Sequence, residues 1–247
     1  MLIIKILVLI ASLLIGSFLN VVIHRMPRRE SLLWPGSHCP QCGTRLTVRD
    51  LFPLVSYLVL GGRCRYCRNP ISMRYPVVEL ITAVSFLLIY LEWGAGGQTL
   101  AGWIFTGFLI TAAFIDIENG IIPDRLTYSG MLAGLVLSMV TIGPKSSLIG
   151  LLVYGSFMLA TALISRGGMG GGDVKMAAAI GSFLGFPASL LALFLSSLLG
   201  GGWAAALLIS RKATRKSAIK FGPFLSLGAW LVLVYGQQLI DFYLSLY

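Results

Sequence analysis

Residues 167–175 read GGMGGGDVK, and this stretch lies between two apolar runs. Five glycines fall within six residues, and the carboxylate Asp173 follows them directly. Glycine removes side-chain bulk and permits backbone angles that are closed to other residues. A carboxylate at the edge of a bilayer is costly unless it has a partner or a chemical task. The stretch therefore indicates that Asp173 either pairs with another group or takes part in chemistry.

The composition identifies the environment of the chain. Of its 247 residues, 57% are hydrophobic and only 11% are charged, and the mean hydropathy is +0.87. A water-soluble domain of this length cannot bury so much apolar surface, which predicts an integral membrane protein. The net charge of +10 does not indicate nucleic-acid binding, because the basic residues lie in short segments between apolar runs. The apolar segments are continuous and do not alternate, which argues against a β-barrel.

Eight apolar segments are candidates for helices that cross the bilayer, which takes roughly 20 residues. The sixth is short, and it could begin inside the glycine stretch or merge with the seventh near Pro187. The predicted fold is an all-α polytopic membrane protein with about eight transmembrane helices and a small zinc-ribbon-like cytoplasmic loop. The segments are residues 2–23, 77–93, 99–117, 126–142, 146–165, 174–184, 188–210 and 221–244.

The basic residues predict the orientation of these segments. With residues 24–75 in the cytoplasm and the remaining spans alternating, 17 of the 19 lysines and arginines face the cytoplasm. Both termini then lie outside the cytoplasm. The predicted organisation is a first transmembrane helix at 1–23, a cytoplasmic four-cysteine loop at 24–75 and a helical membrane core at 76–247. A cleaved signal peptide is disfavoured, because the basic cluster follows the first apolar run.

The four cysteines form two CxxC pairs, Cys39 with Cys42 and Cys64 with Cys67, separated by 21 residues. Each CxxC turn presents two thiolates to one tetrahedral ion, so the spacing predicts a structural zinc site with four cysteine ligands. Zinc would also stabilise a loop that is too small to hold a core of its own. Two disulfides or four free thiols are the alternatives, and a cytoplasmic location disfavours disulfides.

Four of the nine carboxylates lie at the predicted cytoplasmic edge of the membrane. Asp116, Glu118 and Asp124 fall at the end of the third span, in IDIENGIIPD, and Asp173 opens the sixth span. Two aspartates on separate helices at matching depth can approach and share one proton. One then acts as a base toward water and the other as an acid toward a scissile carbonyl, which is the chemistry of an aspartic protease.

The surroundings of Asp173 fit this interpretation but leave an alternative open. Gly170 and Gly172 would let a substrate backbone lie close to Asp173. A GxGD motif alone is weak evidence, and a second inward-facing aspartate at equal depth strengthens it. In the alternative, the carboxylates cap helices or pair with basic residues, namely Arg125, Arg166 and Lys175.

Taken together, the motifs resemble those of the bacterial type IV prepilin peptidases, also called leader peptidase/N-methyltransferases. Residues 16–25 (GSFLNVVIHR) resemble the family's first-span motif, and residues 74–79 (RYPVVE) resemble the segment that leads into its second span. The CxxC pairs resemble its cytoplasmic zinc-type loop. Residues 116–124 resemble its first aspartate motif, and residues 170–175 (GGGDVK) resemble the GxGD motif shared with presenilin-like intramembrane aspartic proteases.

The resemblance covers nearly the whole chain and implies that Asp116 and Asp173 are the catalytic pair. It implies cleavage of the basic leader from type IV prepilins or pseudopilins, at the cytoplasmic side of the bacterial inner membrane. Many members then methylate the new N-terminus with S-adenosylmethionine, an activity associated with the cysteine loop, although no glycine-rich methyltransferase fold is visible. Residues with expected supporting roles are Gly170, Gly172, Glu118, Asp124, Lys175 and Glu79.

Two of these expectations carry alternatives. Glu79 is a candidate for the methylation step, but it also fits a helix-start carboxylate that is favoured by the helix dipole. The basic residues on the cytoplasmic side would attract anionic lipid rather than a basic leader, so Glu118 and its acidic neighbours are expected to hold leader lysines. The competing functions are a membrane methyltransferase without protease activity and a transporter whose buried aspartates carry protons.

Overall fold

The computed structural model describes residues 2–165, 169–211 and 220–245, which contain nine α-helices. Within these residues, β structure is limited to two isolated bridges in the cysteine loop. The chain divides into two compact units, Met1–Thr99 and Leu100–Tyr247. The predicted all-α class is therefore confirmed. The helices are α1 (Leu2–Arg25), α2 (Val55–Val59), α3 (Arg74–Trp93), α4 (Gly97–Asn119), α5 (Asp124–Leu137), α6 (Pro144–Ile164), α7 (Gly171–Leu184), α8 (Ala188–Ile209) and α9 (Gly222–Leu244).

Six of these helices are long and apolar enough to cross a membrane, namely α1, α3, α4, α6, α8 and α9. The protein is thus a polytopic helical membrane protein. Helices α5 and α7 have 14 residues each. That length is about 21 Å, which falls short of the roughly 30 Å hydrocarbon core. The predicted eight spans correspond to eight helices, but the fourth and sixth of them are short.

Helix α7 settles the boundary that the sequence left open. It begins inside the glycine stretch, at Gly171, and ends at Leu184. Gly185 then takes a φ of +68°, which L side chains rarely adopt, and α8 starts separately at Ala188. The sixth and seventh predicted segments therefore do not merge. Residues 166–168, which include Arg166 and the first two glycines of the stretch, lie outside the described residues.

In the first unit, α1 packs closely against α3. Gly16 allows this approach, because a Cβ atom there would lie 2.8 Å from the Cα atom of Glu79. One turn further along α1, the Asn20 amide donates to the C=O of Tyr75 at 3.1 Å. At the end of α1, the Arg25 guanidinium donates to backbone carbonyls of the following loop. These contacts attach the cysteine loop to the α1–α3 pair.

In the second unit, α7 is the buried helix and packs against α5, α6 and α9. Its residues 176–182 are all buried and mostly small, which suits a helix that is enclosed by others. Gly150 of α6 and Gly181 of α7 bring the two backbones together, since a Cβ atom on either would run into the backbone of the other. Ser147 of α6 adds a 2.6 Å hydrogen bond to the C=O of Ser182. A helix enclosed in this way does not need the full length of a lipid-facing span.

Candidate active site and metal-binding loop

Asp116 lies in the last turn of α4 and is buried, with 5% of its surface exposed. Its Oδ2 atom accepts a 3.0 Å hydrogen bond from the backbone N–H of Gly222, the first residue of α9. The first N–H groups of a helix lack intrahelical partners and carry partial positive charge, so this helix end favours a carboxylate. Only glycine fits the contact, because a Cβ atom at residue 222 would lie 2.8 Å from Asp116 Oδ2.

A second positive group, Lys220, lies beside the same carboxylate. Its ammonium group donates to the C=O of Ile117 in the last turn of α4, and it interacts electrostatically with Asp116. The C-terminal end of α4 would by itself disfavour a negative charge there. Burial disfavours that charge as well, whereas the start of α9 and Lys220 favour it.

Asp173 is the third residue of α7 and is partly buried. Its carboxylate accepts a hydrogen bond from the backbone of Gly170, which precedes the helix. The negative charge of Asp116 also acts on Asp173. The structure therefore brings the two aspartates to the same end of the second unit, although they are 57 residues apart in the sequence.

The glycines before Asp173 have different surroundings. At Gly172 a Cβ atom would lie 3.1 Å from the Cβ atom of Ile122, so this glycine lets α7 approach the α4–α5 connection. At Gly171 nothing lies within 4 Å of an added Cβ atom. Gly170 meets only the carboxylate of Asp173, at an ordinary contact distance of 3.6 Å. Open space beside Asp173 thus lies at Gly171, whereas the predicted position Gly172 is taken up by packing.

Asp124, at the start of α5, forms a salt bridge of 2.7 Å with Lys175 of α7. The Lys175 ammonium also lies over the ring of Tyr128, 5.4 Å from its centroid. The sequence left open the alternative that Asp124 pairs with a basic residue. The structure has this pairing, with Lys175 as the partner. Glu118 is exposed at the end of α4. Because Asp116 is buried and Asp124 is paired, the three carboxylates do not form one open acidic surface.

Glu79 is buried in the second turn of α3, with 6% of its surface exposed. Its Oε2 atom accepts a 2.8 Å hydrogen bond from the backbone N–H of Leu54 in the cysteine loop. A side-chain hydrogen bond with Ser17 of α1 adds a second partner. The carboxylate therefore ties the loop to the α1–α3 pair rather than capping the start of its own helix.

The four cysteine thiols lie within 4.8 Å of one another and carry no disulfide. The Sγ atoms of Cys39 and Cys67 are 3.8 Å apart, and two thiolates on one zinc ion with bonds of about 2.3 Å are separated by about the same distance. Hydrogen bonds with the side chain and backbone of Thr44 lower the pKa of Cys42 to about 6. Four thiols in this arrangement can hold a metal ion such as zinc.

The two CxxC segments have the same local structure. In each, the backbone N–H of the first cysteine donates across the turn to a later C=O. Cys39 donates to Thr44, and Cys64 donates to Asn69. In each, the fourth residue after that cysteine has a positive φ, +69° at Gly43 and +60° at Arg68. An isolated β-bridge closes each turn, His38 with Arg45 and Arg63 with Pro70.

Asp50 joins these two turns, a role that the sequence did not indicate because a lone carboxylate in a polar loop is usually solvated. Its oxygens accept hydrogen bonds from Thr47 on the first side and from Arg65 and Tyr66 on the second. The bond with Arg65, followed by that with Thr47, holds the pKa of Asp50 well below its usual range.

The sequence also did not indicate the roles of Gly222 and Lys220 beside Asp116. Gly222 contributes only a backbone N–H, and Lys220 looked like one charge in a basic run, most of which (residues 212–219) lies outside the described residues.

These features define a class of protein, a polytopic helical membrane protein with two aspartates at adjoining helix ends and a four-cysteine loop. Comparison with known sequences identifies the family. Residues 10–93 match the Bacterial Peptidase A24 N-terminal domain, and residues 103–205 match the Type IV leader peptidase family. The chain belongs to the type IV leader peptidase family.

Individual relatives match almost from end to end. The chain is 37% identical to a prepilin leader peptidase/N-methyltransferase from Aeromonas hydrophila, over 97% of this chain and 93% of that relative. It is 37% identical to a type 4 prepilin-like proteins leader peptide-processing enzyme from Escherichia coli, over 93% of both chains. It is 32% identical to a prepilin leader peptidase/N-methyltransferase from Bacillus subtilis, over 96% of both chains. No solved structure matches the chain significantly.

Proposed function

We propose that this protein is an aspartic endopeptidase that removes the basic leader from type IV prepilins or pseudopilins, with Asp116 and Asp173 as its catalytic pair. The names of the relatives support the substrate class. The observation that supports the catalytic assignment is that both carboxylates lie at one end of the second unit, near enough for the charge of Asp116 to act on Asp173.

The surroundings of the two carboxylates suggest different roles. Asp116 accepts a hydrogen bond from the Gly222 N–H and interacts with Lys220, and both contacts favour its charged form relative to that of Asp173, so we assign Asp116 as the base. Asp173 lacks a cationic partner among the contacts described and faces the charge of Asp116, so it carries the shared proton. Asp116 takes a proton from water, the resulting hydroxide adds to the scissile carbonyl carbon, and Asp173 protonates the carbonyl oxygen. Collapse of this tetrahedral species, with a proton returned to the leaving amine, completes the cleavage.

The finer assignments for the first unit rest on its side chains. We assign Cys39, Cys42, Cys64 and Cys67 as ligands of a structural zinc ion, since their four thiols are clustered and four thiolates suit zinc. The names of the relatives indicate N-methylation of the new N-terminus, for which S-adenosylmethionine would supply the methyl group. Glu79 would then orient the loop through the Leu54 N–H.

The basic residues of the cysteine loop indicate the location of the protein. Residues 24–75 carry nine arginines, and such a loop is retained in the cytoplasm. We therefore propose a bacterial inner-membrane protein whose aspartates and cysteine loop face the cytoplasm. The basic leader of the proposed substrate would then be cleaved on the cytoplasmic side.

The decisive test is cleavage of a purified prepilin by the reconstituted full-length protein without S-adenosylmethionine, followed by mass spectrometry. Asp116→Asn and Asp173→Asn should each lower the cleavage rate by about 10²–10⁴-fold, because each removes one partner in proton transfer. Asp124→Asn is the matched control, since Asp124 lies at the same end but is paired with Lys175. Wild-type rates in either catalytic variant would refute the pair.

The same assay separates the competing functions. A wild-type protein that methylates a pre-cleaved pilin but leaves the prepilin intact would be a methyltransferase without protease activity. A protein that gives no peptide product but shows pH-driven flux in vesicles would be a transporter. For leader recognition, Glu118→Gln should raise KM for a substrate with a basic leader and leave kcat unchanged, and an unaltered KM would remove Glu118 from that role.

A further inference from the structure

The cysteine loop contains an apolar segment, residues 51–60, that neither the proposed catalysis nor the proposed zinc site uses. It reads LFPLVSYLVL, without a charged residue, and includes α2. Five of its ten residues are exposed, with Leu58 at 75% and Val59 at 76% of their surface, and Phe52 and Val55 above half. Contiguous apolar surface of this kind is rarely left in water, so it indicates contact with lipid or with another protein.

Two contacts place this segment beside the start of α3. The Leu54 N–H donates to Glu79 Oε2 at 2.8 Å, and the Tyr57 hydroxyl donates to Met73 Sδ at 2.8 Å. Met73 directly precedes α3, and Glu79 lies five residues into it, about 7.5 Å along the helix axis. Since α3 is one of the helices able to cross the membrane, the segment lies at the depth of its first turns.

That depth favours lipid as the occupant. An apolar face that lies in the membrane surface is buried about 5–10 Å into the boundary between headgroups and acyl chains. The same turns of α3 also expose apolar side chains, Val77, Leu80 and Ile81, so both elements present apolar surface at this depth. Arg49 and Arg63 flank the segment in the sequence, where they can contact anionic headgroups.

We propose that residues 51–60 insert into the membrane surface and anchor the four-cysteine loop at the bilayer, with α2 lying in the interface. Tyr57 and the Leu54 N–H face α3, while Leu58 and Val59 point into the acyl region. The segment holds the loop at a defined depth beside α1 and α3. This proposal does not depend on the peptidase assignment.

The test uses the full-length protein in nanodiscs of phosphatidylcholine with phosphatidylglycerol, with one environment-sensitive fluorescent amino acid incorporated at position 58. Lipids that carry a spin label near the top of the acyl chain serve as the quencher. Position 48 is the matched control, because Val48 is equally exposed, at 75%, but lies outside the apolar segment next to Arg49. Quenching should be at least about threefold stronger at position 58 than at position 48.

Equal quenching at the two positions would overturn the proposal. A second measurement asks directly what covers the surface. With a photo-crosslinking amino acid at position 58 in cell membranes, the expected product is a phospholipid adduct of the intact protein. Cross-linking to another polypeptide without lipid adducts would overturn the proposal in favour of a protein partner. Substitution at the exposed position 58 leaves the contacts of Leu54 and Tyr57 in place, so the variant is expected to fold.

Discussion

The four-cysteine loop and the aspartate site hold their functional groups in opposite ways. The four thiols come from 29 consecutive residues, and short turns with local backbone hydrogen bonds bring them together. The aspartate site takes Asp116, Asp173 and Gly222 from three helices, and the first and last are 106 residues apart. The loop therefore depends on local geometry and on the proposed zinc ion, whereas the aspartate site depends on helix packing. Substitutions in one region should leave the other largely unaffected.

The largest expected effect is the loss of the metal ligand in Cys64→Ser. The zinc-bound loop should lose several kcal/mol of folding free energy, because binding and folding of such small loops are coupled. Metal analysis of the purified variant should find no stoichiometric zinc. Prepilin cleavage should change by less than about tenfold, which is smaller than the effect expected from substituting either proposed catalytic aspartate. The control is His38→Ala, since His38 adjoins Cys39 but is not among the clustered ligands. If wild-type protein holds no zinc, the metal assignment is wrong.

The converse experiment is Gly222→Ala. The added methyl group would clash with the Asp116 carboxylate, and a displacement of about 1 Å can cost about 100-fold in rate. We expect the loss in kcat, with zinc content unchanged. Gly201→Ala in α8 is the matched control, because an added Cβ atom there meets nothing within 4 Å and the residue lies outside the candidate site. If Gly222→Ala cleaves as fast as Gly201→Ala, the α9 contact does not position Asp116.

A smaller effect is expected from Asp50→Asn, which removes the charge that joins the two cysteine turns. The Arg65 partner is largely exposed, so the loss should be about 1 kcal/mol or less, seen as faster zinc release to a chelator. Because the pKa of Asp50 is lowered in the folded protein, its contribution is present above the unfolded value of about 4 and is lost as the pH falls through the folded value. The difference between variant and wild type in the rate of zinc release should hence stay constant from about pH 6 to 8.

The smallest effect tests whether the two cysteine turns share one geometry. Arg68 has a positive φ where the first turn has Gly43. Arg68→Gly should raise the temperature of zinc release, with a gain of about 0.5–1 kcal/mol, since glycine carries no steric penalty at this φ. The reciprocal Gly43→Arg should lower that temperature by a similar amount. Effects of the same sign in both variants would contradict the shared geometry.

The sequence predicted most of the helices because apolar runs of sufficient length form membrane helices wherever they pack. The sequence did not predict that a short helix could be enclosed by its neighbours. Residues 174–184 looked too short for a span, and α7 is indeed short, but neighbouring helices bury it from several sides. Periodicity and length alone cannot reveal this, because the approach of Gly150 to Gly181 is a contact between residues far apart in the chain.

The residues of the candidate site likewise divide into those that the sequence could indicate and those that it could not. Side chains with distinctive chemistry, the aspartates and cysteines, were selected from the sequence as candidates. Gly222 was missed because it acts through a backbone N–H, and no residue type signals that. Asp50 was missed because a lone aspartate in a polar loop has the same appearance whether it is solvated or bonded to three partners.

The amino-acid sequence by itself determined that this protein lies in the membrane, which segments become helices and where four thiols gather, because hydropathy and the CxxC turn act over short stretches of chain. Only the tertiary structure decided which group accompanies each carboxylate. Asp116 accepts a hydrogen bond from the first N–H of α9, and Glu79 accepts one from the Leu54 N–H. Asp124 forms a salt bridge with Lys175. Those choices depend on how helices distant in sequence meet, and electrostatic partners are selected by distance in space.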